Sequence, residues 1–178
     1  MDLTLHYSLD RTLPDLSQTP HRIPSGQEPI DRFWPLFQRN AVLTRLGRAV
    51  TIKTPNDIGQ ELEDLIAELY DWLFDNRHTL SLVESVARDF PELNTLYFRE
   101  FRKNGLAVWA KYLKMRAHAG FLVPMPDYDA AARLLLETAT AFAVARHLDI
   151  DHKPFPDDIA KTTVLRTLTH AFIPAGWY

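Results

Sequence analysis

From Thr54 onward the chain repeats apolar residues at helical intervals, and this periodicity limits its fold more than any other feature. In "TPNDIGQELEDLIAELYDWLF", Ile58, Leu62, Leu65, Leu69 and Trp72 follow one another at steps of four, three, four and three. A helix turns once in about 3.6 residues, so these steps line a single apolar face. Glu61, Glu63, Asp64 and Glu68 then fall largely on the other faces. Thr54 reads as the N-cap, with Pro55 at the first helical position and Asp57 in the first turn.

The same pattern continues downstream. A second helix is expected over about Thr79 to Arg88, with Leu82, Val83 and Val86 facing inward, and Pro91 punctuates it. The third and longest is expected from about Pro91 to Ala119, closed by Gly120 as a C-terminal cap. Its polar stripe is narrow, made of Glu100, Lys103, Asn104, Lys111, Lys114 and His118. A helix apolar over so wide an arc needs neighbours on several sides, which marks it as the expected central element. A fourth helix, capped by Asp127, should run from Tyr128 to about His147, its alanines permitting close approach. After "DIDHKPFPDD" a last helix is expected over about Pro156 to Ile173. No strand-like alternation or internal repeat competes, so the expected fold class is all-α.

The first third has a different texture. Pro14, Pro20, Pro24, Pro29, Pro35 and Pro55 restrict the residues before them to extended or turn geometry. Residues 1–53 therefore read as an irregular Pro-rich arm, and residues 54–178 as a helical domain. Within the arm, Ile30 to Val50 has the pattern of one or two short helices interrupted near Pro35.

Charge and composition exclude several function classes. The net charge of −3 divides into +2 over residues 1–53 (seven basic, five acidic) and −5 over residues 54–178 (thirteen basic, eighteen acidic). Neither part offers the clustered positive charge that duplex binding requires, so no direct nucleic-acid contact is expected. No apolar run is long enough to span a membrane, and the N-terminus lacks the layout of a secretory signal. With no cysteines there is no disulfide framework and no thiolate chemistry, which fits a cytoplasmic protein.

Motifs for catalysis are sparse. Neither a glycine-rich phosphate loop nor H-E-x-x-H nor G-x-S-x-G occurs. "HLDIDH" assembles His147, Asp149, Asp151 and His152, but their spacing matches no established zinc pair, and a solvated helix end explains them better. No cofactor, metal site or enzyme activity is expected. The aromatic residues remain as the signal, either as ordinary core or as the lining of an apolar cavity between helices.

Two stretches resemble a known family. "ARDFPELNTLYFREFRKNGLAVWAKYLKMRAHAGFL" followed by "DYDAAARLLLETATAFAV" is similar to the C-terminal ligand-binding and dimerisation domain of TetR/AcrR-type transcriptional regulators. The shared features are Phe90, Pro91, Glu92 and Leu93 before the long helix, Gly120 and Leu122 after it, and Asp127 to Leu136 opening the next. The resemblance covers about residues 55–174 and implies an antiparallel helical bundle. It also implies a homodimer, with Leu135, Leu136, Ala139, Phe142, Ala143, Val164, Leu165, Leu168 and Phe172 at the interface. A small hydrophobic molecule is implied among the preceding helices, against Trp72, Tyr97, Phe101, Trp109 and Tyr112. The family's helix-turn-helix has no counterpart motif in residues 1–54, so either a fragment or truncated regulator, or a regulator-derived domain that has lost direct DNA binding, is expected. The alternative is a structural or protein-interaction dimer with a closed core and no ligand. An enzyme built on the His147–His152 stretch ranks last.

Overall fold

A computed structural model describes residues 44–87, 91–148 and 155–175. The helices are α1 (Thr44–Ala49), α2 (Ile58–Asp75), α3 (Arg77–Val86), α4 (Pro91–Asn94), α5 (Lys103–His118), α6 (Tyr128–Ala143) and α7 (Asp157–Phe172). A π-helical segment, Thr95–Arg102, joins α4 to α5, and a 3-10 turn, Ala145–His147, follows α6. Among the described residues there is no strand, and the fold is the all-α bundle that the periodicity predicts. Of the one or two short helices expected over Ile30 to Val50, α1 lies within the described residues, and the rest of the Pro-rich segment, before Thr44, lies outside them.

Local chemistry sets the ends of the helices. The first long helix begins at Ile58 rather than at Pro55, because Asp57 takes the N-cap. Its backbone is extended, and its carboxylate accepts from the Gln60 amide at 3.0 Å. Asp127 caps α6 in the expected way, accepting from the Ala130 amide at 2.7 Å. At the end of α5, Gly120 has φ +82°, a conformation that an L side chain resists. The Phe121 amide reaches the Arg116 carbonyl at 2.9 Å and the Gly120 amide reaches that of Ala117 at 3.0 Å, which is a Schellman closure.

The expected single helix from Pro91 to Ala119 is interrupted by the π segment. There the Tyr97 hydroxyl donates to Glu84 on α3 at 3.1 Å, and Arg102 pairs with Glu137 on α6. Two neighbouring helices thus hold the segment. Likewise the fourth helix stops at Ala143, short of His147. Arg146 folds back over that end, donating to the carbonyls of Phe142 at 2.6 Å and Phe155 at 3.2 Å and pairing with Asp157.

The centre of the bundle is α6 together with α2, not the long aromatic helix. The α6 helix packs on α5, α2 and α7, while α2 also meets α7, α1 and α3. Small residues decide this: Ala131, Ala132, Ala139 and Ala143 are all buried on α6 and let three helices approach it. The α5 helix keeps an exposed flank through Lys103, Ala107, Lys111 and Lys114. Leu46 and Ala49 of α1 are buried in the same core, so the packed unit begins before Thr54.

One ion pair connects three of these elements. Arg116 on α5 is 0% exposed, and all five of its N–H groups are used. Nε donates to Glu61 Oε1 at 2.9 Å, and Nη2 donates to Glu61 Oε2 at 3.0 Å and to the Ala49 carbonyl at 3.2 Å. Nη1 donates to the carbonyls of Ile52 at 2.9 Å and Lys53 at 3.0 Å. The Tyr112 hydroxyl adds a bond to Glu61 Oε1 at 3.0 Å. Removing one member of a buried pair leaves the other charge uncompensated, at a cost of about 3–5 kcal/mol. Glu61→Ala should therefore destabilise the chain by roughly that amount in urea unfolding, against about 1 kcal/mol for Tyr112→Phe. Equal, small losses for both variants would show that the pair is not a strut.

Candidate functional site

Of the aromatic residues expected at a pocket, Tyr97, Trp109 and Tyr112 are buried in one hydrophobic core and Trp72 packs against it. Trp109 and Tyr112, both on α5, pack edge to face with ring centroids 6.0 Å apart and an interplanar angle of 87°. Tyr97 is buried on the π segment and held by Glu84. Trp72 packs half-buried against the core from α2. The side chain of Phe101 lies outside the described residues.

The surroundings of these residues are polar at their hydroxyl ends and apolar elsewhere. Burial, followed by the negative charges of Glu61 and Glu84 respectively, pushes the phenols of Tyr112 and Tyr97 well above the ordinary tyrosine value. Trp109 is 1% exposed, and its indole N–H has no hydrogen-bond partner among the described residues, which is uncommon for a buried donor.

Sequence reasoning missed the residues that organise this region. In sequence Glu61 falls on a polar face of its helix, and Arg116 has no motif of its own. A signal was available: Arg116 lies four residues beyond Tyr112 and seven beyond Trp109, on their stripe. Glu84, Arg102 and Glu137 form a second polar group, with Arg102 Nη1 4.0 Å from Glu84.

The residues expected at a subunit interface are mostly occupied within the chain. Leu135, Ala139, Ala143, Val164, Leu165, Leu168 and Phe172 are buried in the core, and Leu136 and Phe142 pack partly buried against it. In the single chain their apolar area faces the chain's own helices. The physical reason is that α6 and α7 pack on α2 and on each other through these faces. Their outward faces carry Leu134, 60% exposed, and Ile159, 53% exposed.

Among the described residues no three metal-ligating side chains converge. Asp149, Asp151 and His152 lie outside the described residues. His147 packs against Phe74 with centroids 5.7 Å apart. Burial, aided by Arg146, Arg77 and His78, holds its pKa below the usual imidazole value. No helix among the described residues is long and apolar enough to cross a membrane.

The raised phenol values predict an alkaline limit to stability. Both folded-state values lie above the unfolded one of about 10, so the contribution is complete below about pH 10 and declines as the pH rises further. Tyrosinate absorption should show Tyr97 and Tyr112 ionising only as the chain unfolds, and Tyr112→Phe should weaken the alkaline loss. Ordinary titration of both phenols in the folded chain would contradict their burial.

Comparison with known proteins gives a family. The model for the AefR-like transcriptional repressor C-terminal domain matches residues 60–173, which runs from the first turn of α2 to the residue after α7. No curated protein and no solved structure gives a significant match. The matched span covers more than half of the 178 residues and contains all the helices from α3 to α7, so the chain belongs to the TetR-type regulators through this AefR-like C-terminal domain.

Proposed function

We propose that these helices are the effector-sensing and dimerisation part of a transcription regulator, and that the effector is a small, mainly apolar molecule. The observation that carries the effector reading is the buried indole N–H of Trp109, a donor without an acceptor among the described residues. Trp72, on α2, is the other aromatic residue retained as a candidate contact. Direct DNA reading is not assigned to these helices, since residues 54–178 carry a balance of −5 from thirteen basic and eighteen acidic residues.

Subunit pairing is assigned to the outward faces of α6 and α7. Leu134 and Ile159 would provide the apolar contacts, flanked by small residues such as Ala130, Ala141 and Thr163. A stable dimer buries about 800 Å² on each partner, which a face built from two adjacent helices is able to supply.

A second reading is a closed-core interaction domain without an effector. It is favoured by Tyr97 and Tyr112, which are buried with their hydroxyls already satisfied by Glu84 and Glu61.

Thermal shift against a library of hydrophobic small molecules separates the two. A bound compound at about a hundred times its Kd should stabilise the chain by roughly 2.7 kcal/mol. No stabilisation by any compound would favour the closed core. Light scattering should report a dimer that Leu134→Asp or Ile159→Asp converts to a folded monomer, because both side chains are exposed in the single chain. A dimer that survives both changes would rule out this face.

A further inference from the structure

The α1 helix is poorly equipped to stand by itself. It has six residues, and isolated helices shorter than about 12–15 residues are marginal in water. Gly47 lies inside it, where glycine weakens a helix relative to alanine, although a Cβ there would meet no heavy atom within 4 Å. Of its side chains Leu46 and Ala49 are buried, so apolar contact alone holds it weakly. It also precedes the span 60–173 that matches the family.

Two clasps fasten it to the bundle. The inner one is Arg116, which donates to the carbonyls of Ala49 at 3.2 Å, Ile52 at 2.9 Å and Lys53 at 3.0 Å. The outer one lies on the surface of α2, where the Arg45 amide donates to Glu68 Oε2 at 3.1 Å and its guanidinium pairs with Asp64 at 2.7 Å. Exposed pairs contribute little, whereas hydrogen bonds from a charged donor are about twice as strong as neutral ones. The inner clasp therefore dominates. Lifting the stretch from Ala49 to Lys53 breaks three of its hydrogen bonds together and leaves the pair with Glu61 in place, so α1 is either docked or released.

We propose that α1 is a detachable strap, a cooperative unit separate from α2–α7, latched by Arg116 and able to lift off while the bundle stays folded. Docked, it fixes the point at which the chain enters the bundle at Thr44. Lifted, it frees that entry and uncovers the surfaces of α2 and α5 on which it packs. The latch thus sets how firmly the preceding chain is joined to the bundle. The device requires no effector and is independent of the effector reading.

Native-state hydrogen exchange of the full chain tests this. The amides of Val50, Thr51 and Ile52 bond to the carbonyls of Leu46, Arg48 and Ala49, so they report on α1. They should exchange through an opening with a smaller urea dependence than the slowest amides of α2 and α6. Gly47→Ala should slow these three by about two- to fivefold and leave the slowest α6 amides unchanged. The triple change Glu61→Leu, Tyr112→Phe and Arg116→Met removes the latch without leaving a lone buried charge, a replacement that proteins commonly tolerate. Trypsin should then cut after the exposed Arg48 and Lys53 about a hundredfold faster, because three charge-assisted hydrogen bonds are lost, while α2 and α6 stay protected. Changing the outer clasp, by Asp64→Asn with Glu68→Gln, should speed cleavage by about fivefold at most. An α1 opening with the full urea dependence of global unfolding, or equal slowing of the α6 amides in Gly47→Ala, would make α1 part of the bundle and overturn the strap. Unchanged cleavage in a folded triple variant would overturn Arg116 as its latch. Should the triple variant fail to fold, exchange in the wild type and Gly47→Ala decides the matter.

Discussion

A single guanidinium sets the arrangement of the N-terminal half of the bundle. Arg116 is wholly buried on α5, yet each of its five donors has an acceptor, two on the Glu61 carboxylate and three on the backbone carbonyls of Ala49, Ile52 and Lys53. A buried cation is tolerated only when it is paired and its hydrogen bonds are satisfied. The turn after α1, the first turn of α2 and the last turn of α5 must therefore meet around it. Displacing any one of them leaves polar groups stranded away from water.

That constraint also ties the aromatic region to α1. The path from the aromatic region to α1 is short: Trp109 packs on Tyr112, Tyr112 donates to Glu61, and Glu61 holds Arg116 against the carbonyls that follow α1. Surface pairs elsewhere, such as Arg45–Asp64 at 2.7 Å and Lys161–Asp71 at 2.7 Å, are exposed and contribute little. The α1 junction is thus held by a buried network, while Leu134 and Ile159 on the outer faces of α6 and α7 stay exposed. The small residues of α6 complement this. They bring α2, α5 and α7 around one helix, and most of the large apolar side chains of α6 and α7, Leu134 and Ile159 aside, are consumed in that packing.

Several features were legible in the sequence for direct physical reasons. Steps of three and four in α2 predicted a helix with Leu62, Leu65 and Leu69 inside, and all three are buried. Asp127 and Gly120 acted as the caps their chemistry predicts. Less legible were the exchanges between neighbours. Asp57 displaced Thr54 as N-cap through its carboxylate, and the π segment replaced a regular turn while Tyr97 and Arg102 found partners on different helices. Leu135 and Leu168 read equally well as interface or as core, since periodicity finds an apolar face without saying what covers it.

The sequence by itself determined the class of the fold, the number and order of the main helices and their apolar faces, because helical period and capping are local properties. It also carried enough ordered motifs to place the chain among TetR-type regulators, which the family match over residues 60–173 bears out. Tertiary structure alone decided which charges are buried, which helix lies at the centre and which apolar faces the chain keeps for itself. Glu61 and Arg116 are fifty-five residues apart and look like ordinary surface charges until α2 and α5 pack. Partner choice among distant side chains depends on that packing, and no local pattern encodes it.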